Sequence, residues 1–415
     1  MTFYVKSLFF AIPIFTILII IEAIIAHYRN IPINRSEDVI SSLSSGLTNI
    51  IRDGIKFSII IISYAWLVDK IALYKLESLW LAIAVAFIIE DFAGYWMHRL
   101  NHRVNIFWNR HIIHHSSEEF NLACALRQSI STTFTFSAIF MLPAALLGIP
   151  PIVFAILTPI HLYMQFWYHT QLINKMGVLE YILVTPSHHR VHHAINPEYI
   201  DRNYSQIFIF WDKLFGTFQP ELENVKPVYG TLKPAGTWNP ILINYKHMWQ
   251  IIKDAWRTKR FIDKVRVWFM PTGWRPDDVK KKYPVKIIDN PENQVKYTKD
   301  SSKLLISWSW IQLIITDLFL FHMLVMVPSQ NALMSYLYAG FLLVHIFSYT
   351  SALDHSSYTI LSELGKFSFG FYLIFSYGFS WFGMTGFILN AVMAYFVFSL
   401  IMTYYFYKSE LVPSI

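Results

Sequence analysis

Apolar and polar positions alternate along this chain in blocks far longer than the turns of a soluble helix. Residues 7–27 form an apolar run with Glu22 as its one acid, long enough to cross the roughly 30 Å hydrocarbon core of a bilayer. The run has no small-residue cleavage site and reads as a retained anchor helix. A second span is expected near 55–68 behind an amphipathic lead-in, and a third over 76–97, carrying Glu90 and Asp91 toward its end. Pro143, Pro150 and Pro151 interrupt the apolar stretch 132–168, which predicts a helical hairpin or a re-entrant pair. From 171 to 303 no stretch is apolar long enough to span, so this segment is expected outside the bilayer. Four further runs follow at 304–327, 332–350, 360–379 and 382–407. The pattern predicts an all-α, polytopic membrane protein with about eight or nine membrane helices and no internal repeat.

Composition agrees: 54% of the 415 residues are hydrophobic and 15% charged, against roughly 25% charged in soluble domains. A soluble globular protein is thereby excluded. The net charge of +7 is local, because 171–303 holds 21 of the 34 basic and 13 of the 27 acidic residues. Between hydrophobic spans such a basic segment marks the cytoplasmic side and a contact with anionic membrane lipids, not nucleic acid. Arg99, Arg103, Arg110 and Arg127 fall on the same side, and counting back three spans puts the N-terminus outside. A bacterial inner membrane and an endoplasmic reticulum both fit. Cys124, the only cysteine, leaves no disulfide and no thiolate metal cage.

Histidine carries the chemistry. Eleven of the sixteen histidines lie between His98 and His193, grouped as HRLNH (His98, His102), HIIHH (His111, His114, His115) and HRVHH (His189, His192, His193). Spacings of three and four share a helix face and would be split across a strand, so each group is expected to be a short helix presenting imidazoles to a common point. Eight nitrogens exceed the coordination of one ion, which favours two ions sharing the cluster, and His169 offers a ninth. Imidazole alone does not choose between iron, zinc, copper and nickel. Asp91, Tyr95, His98 and His102 follow one helical stripe, so Asp91 is expected to hydrogen-bond the far side of a metal-bound imidazole. His188, beside His189 but about 100° round a helix from it, is a candidate for the same supporting layer. His161, His247, His322 and His345 are read as core residues. Haem ligation, metal transport and a redox-inactive zinc site are the readings from other classes.

The order HRLNH, HIIHH, HHRVHH resembles the fatty acid hydroxylase and sterol desaturase superfamily of membrane di-iron enzymes. DFAGYWMHRLNHRVNIFWNRHIIHHSSEEF and TPSHHRVHHAINPEYIDRNYSQIFIFWDKLFGTF resemble, within it, the ether-lipid-cleaving branch. The resemblance implies two iron ions per chain held by His98, His102, His111, His114, His115, His169, His189, His192 and His193 in a cytoplasmic helical cap. It implies a monooxygenase that uses O2 to hydroxylate a lipid C–H and so cleave the ether bond of alkylglycerols to an aldehyde and a glycerol derivative; the alternative is a fatty acid or sterol hydroxylase or desaturase. The electron donor it implies is tetrahydrobiopterin or a redox protein. Two positions depart from the pattern: Gln165 stands where some relatives carry a further histidine, and Arg103 where the animal ether-lipid enzymes carry an acid. The expected organisation is a catalytic domain over 1–303, with the basic cytosolic segment at 171–303, followed by a membrane-helix bundle over 304–415.

Overall fold

Long apolar runs with few breakers give long helices. A computed structural model, describing residues 3–57, 59–132, 134–135 and 137–411, has α1 (Phe3–Tyr28), α2 (Ser36–Gly54) and α3 (Leu79–Arg103) in its first quarter. Short helices carry the middle: α4 (Ile112–His115), α5 (Pro151–Tyr163), α6 (Pro186–His193), α7 (Pro240–Arg257) and α8 (Phe261–Phe269). The chain closes with α9 (Lys303–Met326), α10 (Ala332–Leu353), α11 (Thr359–Ser376) and α12 (Gly386–Phe406). The strands among the described residues are two residues each, Ile59–Ile60 paired in parallel with Phe134–Thr135.

Among the described residues five helices are long and apolar enough to cross a membrane: Lys6–Tyr28, Leu79–Arg103, Lys303–Ser329, Ala332–Leu353 and Gly386–Glu410. The expected count of eight or nine is not reached, for three local reasons. The apolar stretch 55–68 is broken, because α2 ends at Gly54, Lys56 turns left-handed at φ 55° and the next helix, Tyr64–Ile71, has eight residues. The prolines of 132–168 leave helices of five and thirteen residues; even the longer reaches only about 20 Å at 1.5 Å per residue. Glu363 and Lys366, buried as an ion pair of 2.8 Å, make α11 too polar to join the five.

The largest apolar core lies between α2 and the four C-terminal helices. α2 is enclosed on all sides: Ile40, Leu47 and Ile51 enter the apolar core, while Asp38, Ser41, Ser42, Ser44, Ser45 and Thr48 are buried as well. Asp38 pairs with buried Arg127 at 2.9 Å, and Ser44 Oγ lies 2.6 Å from the Tyr349 hydroxyl on α10. This helix joins the C-terminal bundle to the histidine region. α1 closes over the same region through Glu22, which accepts from Thr170 Oγ1 (2.6 Å) and Leu122 N (2.7 Å).

Helices α7 and α8 bury Ile243, Ile251 and Val267 and also expose a broad apolar face. α7 turns Asn244 and Asp254 inward and leaves Leu242, Tyr245, Trp249, Ile252 and Trp256 exposed as one stripe, Trp256 at 85%. α8 buries Asp263 and exposes Phe261, Ile262, Val265 and Phe269. Outward aromatic faces flanked by Arg257, Lys259, Arg260 and Arg266 have the make-up of helices that lie in a membrane interface.

Candidate metal centre

α3 carries the first histidines. Its apolar body leads to His98 and His102, one turn apart and both buried at the helix end. The second motif is the single turn α4, against which α7 packs; His247 Nε2 donates to Asn105 O at 2.9 Å, and Asn109 Oδ1 accepts from Met248 N at 2.8 Å. The third motif is α6, which begins at Pro186, a first-turn position where the absent N–H costs nothing. All eight of its residues are buried.

The nine histidines meet in two groups. His98, His102, His111, His115 and His192 form one and His114, His169, His189 and His193 the other, ligand atoms in each lying within 4.8 Å of one another. The first motif presents both its imidazoles to a common group, as its spacing predicts. The second and third do not, because sequence neighbours such as His114 and His115, or His192 and His193, diverge by about 100° on a helix. One member of each pair therefore serves each group, so α4 and α6 tie the two groups together.

Ring orientation is set from behind. The Nδ1–H groups of His98, His114, His169 and His192 face the carbonyls of Tyr204 (2.7 Å), Arg127 (3.2 Å), Gln165 (3.0 Å) and Arg202 (2.9 Å). That leaves Nε2 bare and forward. His169 Nε2 lies 3.3 Å from His114 Nε2 and 2.8 Å from His189 Nε2, while His98 Nε2 lies 2.9 Å from His111 Nε2 and His192 Nε2 3.1 Å from His115 Nε2. The edges of an octahedron or tetrahedron of nitrogens around an ion about 2.1 Å away measure about 3.0 and 3.4 Å. Burial pushes the imidazoles away from protonation: His114 is driven down to about 3, and His111, His115, His169, His189, His192 and His193 well below the ordinary histidine range. The neutral His114 and His169 rings, each spending its one N–H on a carbonyl, aim two lone pairs at each other. A cation between them relieves that repulsion, so the donor set fits a metal pair.

The supporting residues differ from expectation. Asp91 reaches none of the nine: it accepts from Ile207 N (2.9 Å), Phe208 N (3.1 Å), Trp211 Nε1 (2.9 Å) and His161 Nε2 (3.1 Å). A carboxylate near a membrane span must be paired, and here backbone amides and His161 do the pairing. Its link to the cluster runs through Gln165, whose Nε2 donates to His161 Nδ1 (3.1 Å) and whose carbonyl accepts from His169. His188 turns away from both groups; its Nδ1 lies 3.4 Å from Thr185 N at the start of α6 and its ring rests on Phe218.

Of two other acids nearby, one sits at the rim and the other supports the ligands through a loop. Asp201 Oδ1 stands 3.9 Å from His102 Nδ1 and its other oxygen 2.6 Å from Arg103, so Arg103 is neutralised at the rim. Buried Asp212 accepts from Tyr204 N and Ser205 N at 2.8 Å and from Thr217 Oγ1 at 2.6 Å, fixing the loop whose carbonyls orient His98 and His192. Neither acid has helical spacing to the histidines. The signal for Asp212 is the following Gly216, at φ 70°, which closes the turn beneath it.

In front of the histidines lies a cavity of about 630 Å³. His98, His111, His114, His169 and His189 form its floor, and Leu8, Ile12, Phe15 and Ile19 of α1 with Leu313 and Ile314 of α9 line its apolar walls. Both histidine groups thus open onto one apolar space that runs along membrane-spanning helices, as a site for a lipid tail requires.

Residues 83–217 match the fatty acid hydroxylase family model, a stretch that contains every histidine of both groups. The chain is 40% identical over 312 residues to the alkylglycerol monooxygenase of Homo sapiens, covering 74% of this chain and 68% of that one. It is 42% identical over 265 residues to that of Xenopus tropicalis, covering 63% and 58%. An ornithine lipid hydroxylase of Rhizobium tropici is 29% identical over 136 residues, covering 33% and 41%. No solved structure matches the chain. The chain belongs to the alkylglycerol monooxygenase family and is a membrane lipid monooxygenase.

Proposed function

We propose that this protein cleaves the ether bond of alkylglycerols, with two iron ions held by His98, His102, His111, His115 and His192 on one side and by His114, His169, His189 and His193 on the other. The observation that carries this is the division of nine inward-facing imidazoles into two groups opening on one lipid-sized apolar cavity. The relatives named alkylglycerol monooxygenase supply the substrate class. Iron bound there supplies activation of O2 and removal of hydrogen from an unactivated C–H.

The chain's own residues do the rest. Carbonyls of residues 127, 165, 202 and 204 hold the imidazoles in register, and the walls from α1 and α9 take the alkyl tail and exclude water. Hydroxylation of the carbon beside the ether oxygen consumes O2, two electrons and two protons and gives a hemiacetal and water. The hemiacetal then collapses to an aldehyde and a glycerol derivative. The electrons come from tetrahydrobiopterin or a redox protein. The outward aromatic faces of α7 and α8 with their basic flanks support a site on the cytoplasmic side, in a bacterial inner membrane or an endoplasmic reticulum. A catalytic part over 1–303 and a helix bundle over 304–415 belong to the same reading, the bundle completing the cavity through α9. Hydroxylation or desaturation of a fatty acyl or sterol chain is the second reading, supported by similarity to the ornithine lipid hydroxylase and to a sterol desaturase.

Anaerobic purification in detergent, metal analysis, and an assay of O2-dependent aldehyde release from 1-O-hexadecylglycerol with tetrahydrobiopterin test the proposal together. About two irons per chain with aldehyde release is the expected result. Two irons without aldehyde from any donor shifts the reading to acyl or sterol substrates, and zinc as the resident metal overturns it.

A further inference from the structure

The cavity has one polar feature that the metal site leaves unused. α3 presents Gly94, Met97, His98 and Asn101 at i, i+3, i+4 and i+7, a single stripe of the helix, and the last three line the cavity. Asn101 Oδ1 is enclosed without a hydrogen-bond partner. Gln206 lines the same wall, and its amide finds no partner among the described residues. It gets there because of Gly94: a Cβ at that position would collide with Gln206 Oε1. A glycine inside a membrane helix costs stability relative to alanine, and here its missing side chain leaves the room that seats a carboxamide one turn from His98. Asn101 lies most of a turn beyond His98 on the other side. An enclosed carboxamide oxygen is nearly always hydrogen-bonded within the protein, so the unpartnered Asn101 Oδ1, with the half-buried Gln206 amide on the same cavity wall, is set for something that enters.

We propose that the Asn101 and Gln206 carboxamides form a clamp for the oxygen-bearing end of the substrate, hydrogen-bonding glycerol hydroxyls and the ether oxygen so that the first carbon of the alkyl chain falls against the histidine floor. This rests on the alkylglycerol reading and deepens it. Each carboxamide offers two N–H donors and a carbonyl acceptor, the complement of a vicinal diol beside an ether. The apolar walls of α1 and α9 fix no position along a featureless alkyl chain; polar contacts at its head do. The clamp is therefore a determinant of both headgroup specificity and the site of attack.

The test separates binding from turnover. Full-length iron-loaded protein in nanodiscs, kept anaerobic, is titrated with labelled 1-O-hexadecylglycerol and with hexadecyl methyl ether, each corrected for partition into the same lipid. Wild type is expected to bind the glycerol ether at least tenfold more tightly than the hydroxyl-free ether, and Asn101→Leu and Gln206→Leu, at unchanged iron content, are each expected to lose about tenfold for the glycerol ether alone, the worth of about 1.4 kcal/mol. On admitting O2, the variants are expected to show the loss in KM more than in kcat and to oxidise carbons further along the chain. Wild type that binds the diol selectively but releases no aldehyde sinks the activity reading and leaves the clamp standing. Equal affinity for the two lipids in wild type overturns the clamp even where a variant fails to fold, and so does wild-type affinity in both variants.

Discussion

The C-terminal bundle and the histidine region both bury polar groups beneath apolar helices, and they satisfy them in opposite ways. In the bundle donor meets acceptor: Lys366 Nζ lies 2.8 Å from Glu363 and donates to Ser399 Oγ (2.7 Å) and Gln312 Oε1 (3.1 Å), while Ser348 Oγ donates to Glu363 Oε2 at 2.6 Å. Thr316 and His345 meet at 2.7 Å close by. In the histidine region acceptor meets acceptor, the bare Nε2 atoms of His114 and His169 lying 3.3 Å apart. Donors matched to acceptors hold helices together, although Glu363 Oε1 is left buried without a partner. A network of facing lone pairs is complete only with a cation. Burial and polarity alone therefore do not mark a functional site, and the pairing of donors with acceptors distinguishes the two.

Removing one ligand from each histidine group should separate the regions most sharply. His115→Ala and His189→Ala are each expected to lower bound iron and to reduce aldehyde release by more than about 100-fold, exceeding the 10- to 100-fold typical of residues that merely support ligands. Lys366→Met should retain iron and retain activity per folded molecule. Metal analysis and assay of the three purified variants check this, and iron loss from Lys366→Met as complete as from His189→Ala would erase the distinction.

Stability gives the second contrast. Lys366→Met leaves a buried Glu363 without its partner, which typically costs about 3–5 kcal/mol; the Lys366→Met/Glu363→Leu pair removes both charges and is expected to recover more than half of that loss. Reversible unfolding by denaturing detergent, followed in mixed micelles, measures both. Recovery of nothing by the double variant would mean that Gln312 and Ser399, not the ion pair, hold this part of the bundle.

The histidine chemistry was legible from spacing because a helix turns a sequence interval into a direction, and intervals of three and four survive whatever surrounds them. Even the two-group division follows from that rule once His114–His115 and His192–His193 are read as diverging pairs. The membrane topology was less legible. An apolar stretch such as 55–68 has the composition of a span, but whether it forms a helix depends on Lys56 turning the chain and on pairing with 134–135, which no window of hydropathy contains. α11 failed in the same direction: the run 360–379 has the look of a span, but its helix carries the buried Glu363–Lys366 pair and is too polar to join the five. The acids around the site were hidden for a related reason: Asp212 fixes loop backbone, and Asp201 meets the Arg103 side chain from a loop, both brought to α3 by the tertiary fold, and loop contacts carry no period. Asn101 and Gln206 were invisible because their significance is the absence of a partner.

Asp91 gives the smallest of these effects and the finest test, because sequence and geometry give it different work. As a carboxylate facing a metal-bound imidazole, its conversion to asparagine would weaken iron binding directly. As the structure has it, the change spoils a cradle: the new carboxamide would turn its NH2 toward at least one of Ile207 N, Phe208 N, Trp211 Nε1 and His161 Nε2, which now all donate to carboxylate oxygens. One buried donor left without an acceptor costs about 1–3 kcal/mol. Asp91→Asn is accordingly expected to lower stability by that amount with iron content unchanged and activity reduced through the loop that carries Gln206 and the Tyr204 carbonyl. Iron loss in a variant of undiminished stability would return Asp91 to the metal. A loss of stability with iron retained places it in the frame that holds the loop against α3, closer in kind to Lys366 than to His98, so that the boundary between the self-satisfied and the ligand-demanding network runs through the catalytic half itself.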